Sequence, residues 1–265
     1  FHTPIQHRFV QLIIHAWKLS SMPNSSGSLI AFPQPLNVLV SGASRGIGLA
    51  FVRRLLSEHT VAQVFAAARH ATHNEHLKAL ALSDPSRLRI IDMDVCVEKS
   101  IGAAAEGLRM MVSQINLIIN CAGVLHDSAQ MQPEKRLRDV TPENLQRSFS
   151  VNAIGPLLVA KHFQILLPPQ ERSIFANLSA RVGSIGDNHL GGWYAYRASK
   201  AAQNMLTKNL AIELRRRAQG LICVALHPGT VDTGLSRPFQ SKVPANRLFS
   251  AERAAKQLLK VMDGL

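Results

Sequence analysis

The sequence predicts a single α/β domain in which a doubly wound parallel sheet carries helices on both faces. Three observations predict it. From Leu36 onward, short apolar runs of strand length alternate with helical stretches, the pattern that specifies a parallel sheet covered on both sides. The first run passes directly into Gly42, Gly46 and Gly48, a Gly-x-x-x-Gly-x-Gly turn that opens a helix. Glycine-bearing or polar clusters then recur at the carboxyl ends of later strands, where ligands bind in such a sheet.

The elements follow in order. Leu36 to Val40 is a short apolar run and reads as a buried parallel strand. The helix after it continues through Ile47, Leu49, Phe51, Val52, Leu55 and Leu56. Val61 to Ala68 is the second strand and Leu88 to Met93 the third. A helix near Ile101 to Val112 precedes the strand Ile115 to Asn120, and the helical stretch Pro142 to Leu167 precedes the strand Ser173 to Leu178. A helix from Tyr194 to Arg217 leads to the strand Leu221 to Leu226 and a Pro-Gly turn, and a last helix covers Ala251 to Met262.

Residues 35–265 are long enough for one domain with a full core, and no linker interrupts them. Hydrophobic residues make up 46% of the 265-residue chain, yet no apolar run is long enough to span a bilayer, so no membrane partner is expected. Cys96, Cys121 and Cys223 are odd in number, widely spaced and without metal-ligand spacing. They read as free thiols in a reducing compartment, with no disulfide framework and no metal site. The net charge of +13 invites a nucleic-acid reading. The basic residues are scattered, however, and the tight run Arg215-Arg216-Arg217 falls near a predicted helix end, where cations favour the helix dipole. No nucleic-acid partner is expected.

Residues 1–34 read as an extension outside the fold, disordered or loosely packed. They hold no acidic residue, the first in the chain being Glu58, and Arg8, Lys18 and histidines accompany an apolar patch from Phe9 to Leu19. This is either a basic, acid-poor presequence for a mitochondrion or plastid, or sequence that precedes a true start at Met22 in a cytoplasmic protein.

The glycine turn has a chemical reading. Without a Cβ its backbone can turn tightly and admit a diphosphate, whose charge then faces the amides at the helix start. At the end of the second strand, where an acid would take a ribose 2′-hydroxyl, stands Arg69-His70. A cation there suits a 2′-phosphate, and Arg45 inside the turn points the same way, so NADP(H) is expected over NAD(H). Tyr196 and Lys200 are one helical turn apart on one face. A free phenol has a pKa of roughly 10, and a neighbouring ammonium is expected to lower it toward the operating pH.

Together the glycine turn, Tyr196-Arg197-Ala198-Ser199-Lys200 and Pro228-Gly229-Thr230-Val231-Asp232-Thr233 resemble the short-chain dehydrogenase/reductases from about Asn37 to Leu265. The likeness is strongest in Ser179 to Lys200 and His227 to Phe239, which look like the C-factor/sniffer-type carbonyl reductase branch. The resemblance implies a Rossmann-like sheet of strand order 3-2-1-4-5-6. The family's usual seventh strand is expected to be missing, which would leave the sixth at an exposed edge. It implies a cofactor site lined by Gly42, Ser44, Arg45, Gly46, Ile47 and Gly48, with Asp94 and Val95 at the adenine. Asn120 would brace the sheet, while Ala122 and Gly123 lie beside the cofactor; Cys121 replaces an asparagine of the family pattern. Pro228, Gly229, Val231 and Thr233 would hold the nicotinamide carboxamide.

For catalysis the resemblance implies carbonyl reduction, with Tyr196 as proton donor and Lys200 on the nicotinamide ribose. Asn152 would hold a relay water, although Gly155-Pro156 beside it also fits a capped or kinked helix. The carbonyl-polarising serine is where the pattern departs. Strict alignment puts Ala180 at its place, with Ser179 one residue early and Ser184 further on; Ser179 is the expected donor. Residues 234–248, with Leu235, Pro238, Phe239 and Val243, would give the substrate an apolar wall. The resemblance also implies a homodimer or homotetramer. Two rivals remain: a cofactor-binding sensor with little turnover, encouraged by Ala180, and a basic nucleic-acid-binding protein of the same fold.

Overall fold

The computed structural model describes Leu29, residues 31–127 and residues 131–265. Six parallel strands form the central sheet: β1 (Leu36–Ser41), β2 (Val61–Ala68), β3 (Leu88–Asp92), β4 (Leu117–Asn120), β5 (Ser173–Leu178) and β6 (Leu221–Leu226). Their order is β3-β2-β1-β4-β5-β6, as expected, with β6 at an edge among the described residues. The helices are α1 (Gly46–Leu56), α2 (Glu75–Ser83), α3 (Glu98–Arg109), α4 (Pro142–Phe149), α5 (Gly155–Phe163), α6 (Tyr194–Leu214) and α7 (Ala251–Asp263). Two short strands, β7 (Thr230–Val231) and β8 (Leu248–Phe249), pair in parallel apart from the main sheet.

Strand alternation divides the core into two layers. Val38 and Val40 of β1 face α1 and α7 with Phe51, Leu55, Leu258 and Leu259. Leu39 faces the other way, into Phe65, Ile101, Phe163, Phe175 and Leu210 under α3, α5 and α6. Each such side chain, fully buried, contributes about 1.5–3 kcal/mol. Both faces of the sheet are therefore covered, and the strand ends alone remain for ligands.

Three details differ from the sequence reading. The stretch Pro142 to Leu167 is not one helix: a π-helical turn, Ser150–Ile154, separates α4 from α5. Pro156 brings no N–H to the helix ladder, and the last N–H before it, that of Gly155, reaches back five residues to Ser150 O. The turn ends at Gly155-Pro156, where a capped or kinked helix also fitted the sequence. Second, α2 and the β7–β8 pair were not read. Third, the end of the N-terminal segment is packed rather than loose: Leu29 and Phe32 are buried. The Arg172 guanidinium lies 5.0 Å over the Phe32 ring and donates to Ala31 O, Met262 O and Asp263 O, capping α7. Residues 1–28 lie outside the described residues, so the presequence and Met22 readings do too.

Among the described residues no helix is long and apolar enough to cross a membrane, and no cluster of His, Cys, Asp or Glu could hold a metal ion. The three cysteines are unpaired.

Candidate active site

The carboxyl ends of β1, β4, β5 and β6 bring most of the expected residues together. Gly42 has φ +77, and a Cβ there would lie 2.5 Å from Ala122 N, so only glycine lets this loop close on the end of β4. Gly46, at the start of α1, sits beside Thr233, whose Cγ2 is 3.3 Å from where a Cβ would stand. The glycine turn and the turn after Pro228 thus share one cleft. Ser44 O accepts from Asn74 Nδ2 at 3.3 Å, which ties the turn to the α2 cap. Arg45 and Arg69 are both exposed, and neither guanidinium has a hydrogen-bond or ion-pair partner among the described residues.

Asp94 Oδ1 accepts from Cys96 N at 2.9 Å, and Val95 packs against Gly155. Asn120 braces the sheet in the expected way: its Nδ2 donates to Asn177 Oδ1 at 2.8 Å, and Asn177 Nδ2 donates to Thr207 Oγ1 at 2.8 Å, joining β4, β5 and α6. After β6, Val231 O accepts from Ser236 Oγ at 2.5 Å, and Thr233 N–H faces the same hydroxyl at 3.4 Å.

The inward face of α6 carries Tyr196, Ser199, Lys200, Gln203 and Thr207, all buried. Lys200 Nζ donates to Leu178 O at 2.7 Å and to Gln203 Oε1 at 3.0 Å, and lies 5.9 Å from the Tyr196 ring centroid. Burial, which penalises charge, pushes Lys200 down to about 7 and Tyr196 up to about 12. The expectation of a phenol already lowered by its lysine is therefore corrected. The loss of water around the phenol outweighs the cation, whose hydrogens point to Leu178 and Gln203.

Asn152 lies in the π-helical turn and is fully buried. Its Oδ1 accepts from Val124 N at 2.8 Å, and its Nδ2 donates to Val124 O at 2.9 Å and Ser199 Oγ at 3.0 Å. Ser199 Oγ in turn donates to Tyr196 O at 2.9 Å. Both Nδ2 hydrogens are used, so the side chain locks the loop after β4 to the Tyr196 turn.

Ser179 directly follows β5. Its hydroxyl donates to Asn204 Oδ1 at 2.6 Å, toward α6. Ala180, the next residue, carries only a methyl group, and Ser184 Oγ accepts from Asp187 N at 3.3 Å.

Several neighbours of the site were not read from the sequence. Trp193 meets Tyr196 edge-on at 6.3 Å, Phe239 meets Trp193 at 5.0 Å, and His126 meets Phe239 at 5.7 Å. These rings make an apolar wall beside the phenol, to which the predicted segment contributes Phe239. Leu235 adds to it above Gly123. Glu134 Oε2 accepts from Ala195 N at 3.2 Å and caps the start of α6. Asn204, four residues after Lys200, could have been read from helical spacing; Glu134 and His126 left no local signal.

A family model for short chain dehydrogenases matches residues 36–244. The chain belongs to the short-chain dehydrogenase family. Within it, the chain is similar to an NADPH-bound carbonyl reductase from chicken fatty liver, at 32% identity and TM-score 0.75, covering 91% of this chain and 93% of that one. It is also similar to the carbonyl reductase Sniffer of D. melanogaster, at 25% identity and TM-score 0.75, covering 86% and 92%. The C-signal protein of Myxococcus xanthus is 36% identical over 132 residues, 49% of this chain and 72% of its own length.

Proposed function

We propose that this oxidoreductase reduces a small ketone or aldehyde with NADPH and that Tyr196 delivers the proton. One observation carries the reading: a buried phenol stands between a buried lysine and an aromatic wall, at the strand ends where the glycine turn and the Thr233 turn meet. The cleft fits a dinucleotide. Gly42 provides backbone space that a Cβ would fill, Gly46 and Gly48 open α1, and the amides of this turn suit a diphosphate. Arg45 and Arg69 are free to take a 2′-phosphate, and the NADPH-bound carbonyl reductase from chicken supports that choice. A nicotinamide held there would supply the hydride for the carbonyl carbon.

The chain's own residues do the rest. Tyr196 gives its phenolic proton to the carbonyl oxygen, and the nascent phenolate is countered by the Lys200 ammonium, which cannot be solvated by bulk water in this buried site. Asn152, through Ser199, and Glu134, through Ala195 N, both position the Tyr196 turn. Trp193, Phe239 and Leu235 exclude water and favour an apolar carbonyl. Exposed Ile154, Met205 and Ile212 on α6 and the π-helical turn favour a homodimer or homotetramer.

A second reading, a cofactor-binding sensor with little turnover, is favoured by the same Ser179–Asn204 bond, which leaves Tyr196 without a serine partner at the carbonyl. NADPH consumption over a panel of ketones, aldehydes and quinones distinguishes the two. Turnover with at least one class supports the enzyme; tight NADPH binding with no turnover across the panel supports the sensor.

A further inference from the structure

We infer that Gln203 is a positioning residue for Lys200, its side-chain carbonyl fixing the ammonium against Leu178 O and holding it in the protonated form. The inference rests on reading Lys200 as the lysine of the active site and deepens that reading. Gln203 lies three residues after Lys200 on the buried face of α6 and is 1% exposed. An ammonium only donates hydrogen bonds, so the atom facing Nζ at 3.0 Å is the carboxamide oxygen. The amide nitrogen is then enclosed with no partner among the described residues. A methionine or leucine would fill this space without an orphaned N–H. What glutamine alone adds is an acceptor for Nζ.

The acceptor matters because no anion among the described residues faces the lysine. The groups around it are Leu178 O from β5, the Cys121 thiol from the end of β4 and Tyr196 from α6 itself. Burial pushes both the Cys121 thiol and the Tyr196 phenol upward, so both are neutral near pH 7. The buried ammonium is left with two dipolar acceptors against a desolvation that brings it to about 7. Removing one moves the balance within the working pH range.

The test follows the Lys200 Cε resonance by NMR in the full chain carrying isotope-labelled lysine, titrated from about pH 5 to about pH 10 and assigned with Lys200→Arg. Gln203→Met should lower the Lys200 midpoint by about one unit, the usual scale for losing a hydrogen bond to a charged group. Gln203→Glu should raise it. An unmoved Lys200 midpoint in Gln203→Met overturns the inference, even if the melting temperature falls, since a packing role alone predicts that result. Should Gln203→Met fail to fold, Gln203→Glu decides: an unraised midpoint overturns the inference. A shifted midpoint beside a fully active Tyr196→Phe would leave Gln203 in place and refute the proposed role of Tyr196. The two failures are thereby separated.

Discussion

The Ser179 hydroxyl donates to Asn204 Oδ1 at 2.6 Å and so faces α6. A serine has one proton to donate, and polarising a carbonyl needs that proton. Ser179→Ala should therefore lower kcat by less than about tenfold, against the hundredfold or more that follows loss of a well-placed oxyanion donor. Ala180→Ser should raise kcat by supplying the missing hydroxyl. Steady-state kinetics on both variants check this; a hundredfold loss in Ser179→Ala would show that its hydroxyl swings to the substrate during turnover.

Arg69→Asp should erase or reverse the preference for NADPH over NADH. The carboxylate would repel a 2′-phosphate and accept from a 2′-hydroxyl instead. A change in the kcat/KM ratio of about tenfold to hundredfold is expected, the scale of one or two charged hydrogen bonds. Arg45→Ala should move the ratio less, in the same direction. A ratio that stays at the wild-type value places Arg69 away from the cofactor.

Stability should depend on pH through Lys200. Burial lowers its folded value from 10.5 to about 7. Between those values the unfolded chain binds a proton that the folded one does not, so stability rises with pH and is lost as pH falls through about 7. Each unit in this window is worth about 1.4 kcal/mol. Tyr196 acts with the opposite sign at the alkaline end: its folded value is raised from 10.0 to about 12, so its contribution is full below 10.0 and is lost as pH rises through about 12. Urea unfolding of wild type and Lys200→Met at about pH 7 and about pH 9 isolates the lysine. Wild type should gain about 2–3 kcal/mol on the variant across those two units; a constant difference would mean that Lys200 titrates alike in both states.

The fold was legible because its signals are local. The bounds of β2, β5 and β6 match the apolar runs, since strands covered on both faces are apolar throughout. The π-helical turn was hidden because Val151, Ala153 and Ile154 continue an apolar pattern, and only the missing N–H of Pro156 disturbs the ladder. The short helix α2 buries Leu77 alone and shows little periodicity. In the site, Tyr196 and Lys200 could be read from one helical turn. Ser179 and Asn204 are 25 residues apart and Glu134 and Ala195 are 61, so their pairing exists only after folding. The ring wall takes His126, Trp193 and Phe239 from three separate segments.

The most direct measurement compares NADPH oxidation by wild type, Tyr196→Phe and Tyr194→Phe with one carbonyl substrate, alongside NADPH affinity by fluorescence. Tyr196→Phe removes only the proton donor, so kcat should fall by about hundredfold to ten-thousandfold, the range for a lost general acid, with cofactor affinity nearly unchanged. Tyr194, 40% exposed and with no lysine one turn on, should tolerate the same change with a mild effect. A Tyr196→Phe protein that reduces the carbonyl at the wild-type rate would contradict the assignment of Tyr196 as the acid, and with it the proposed reaction.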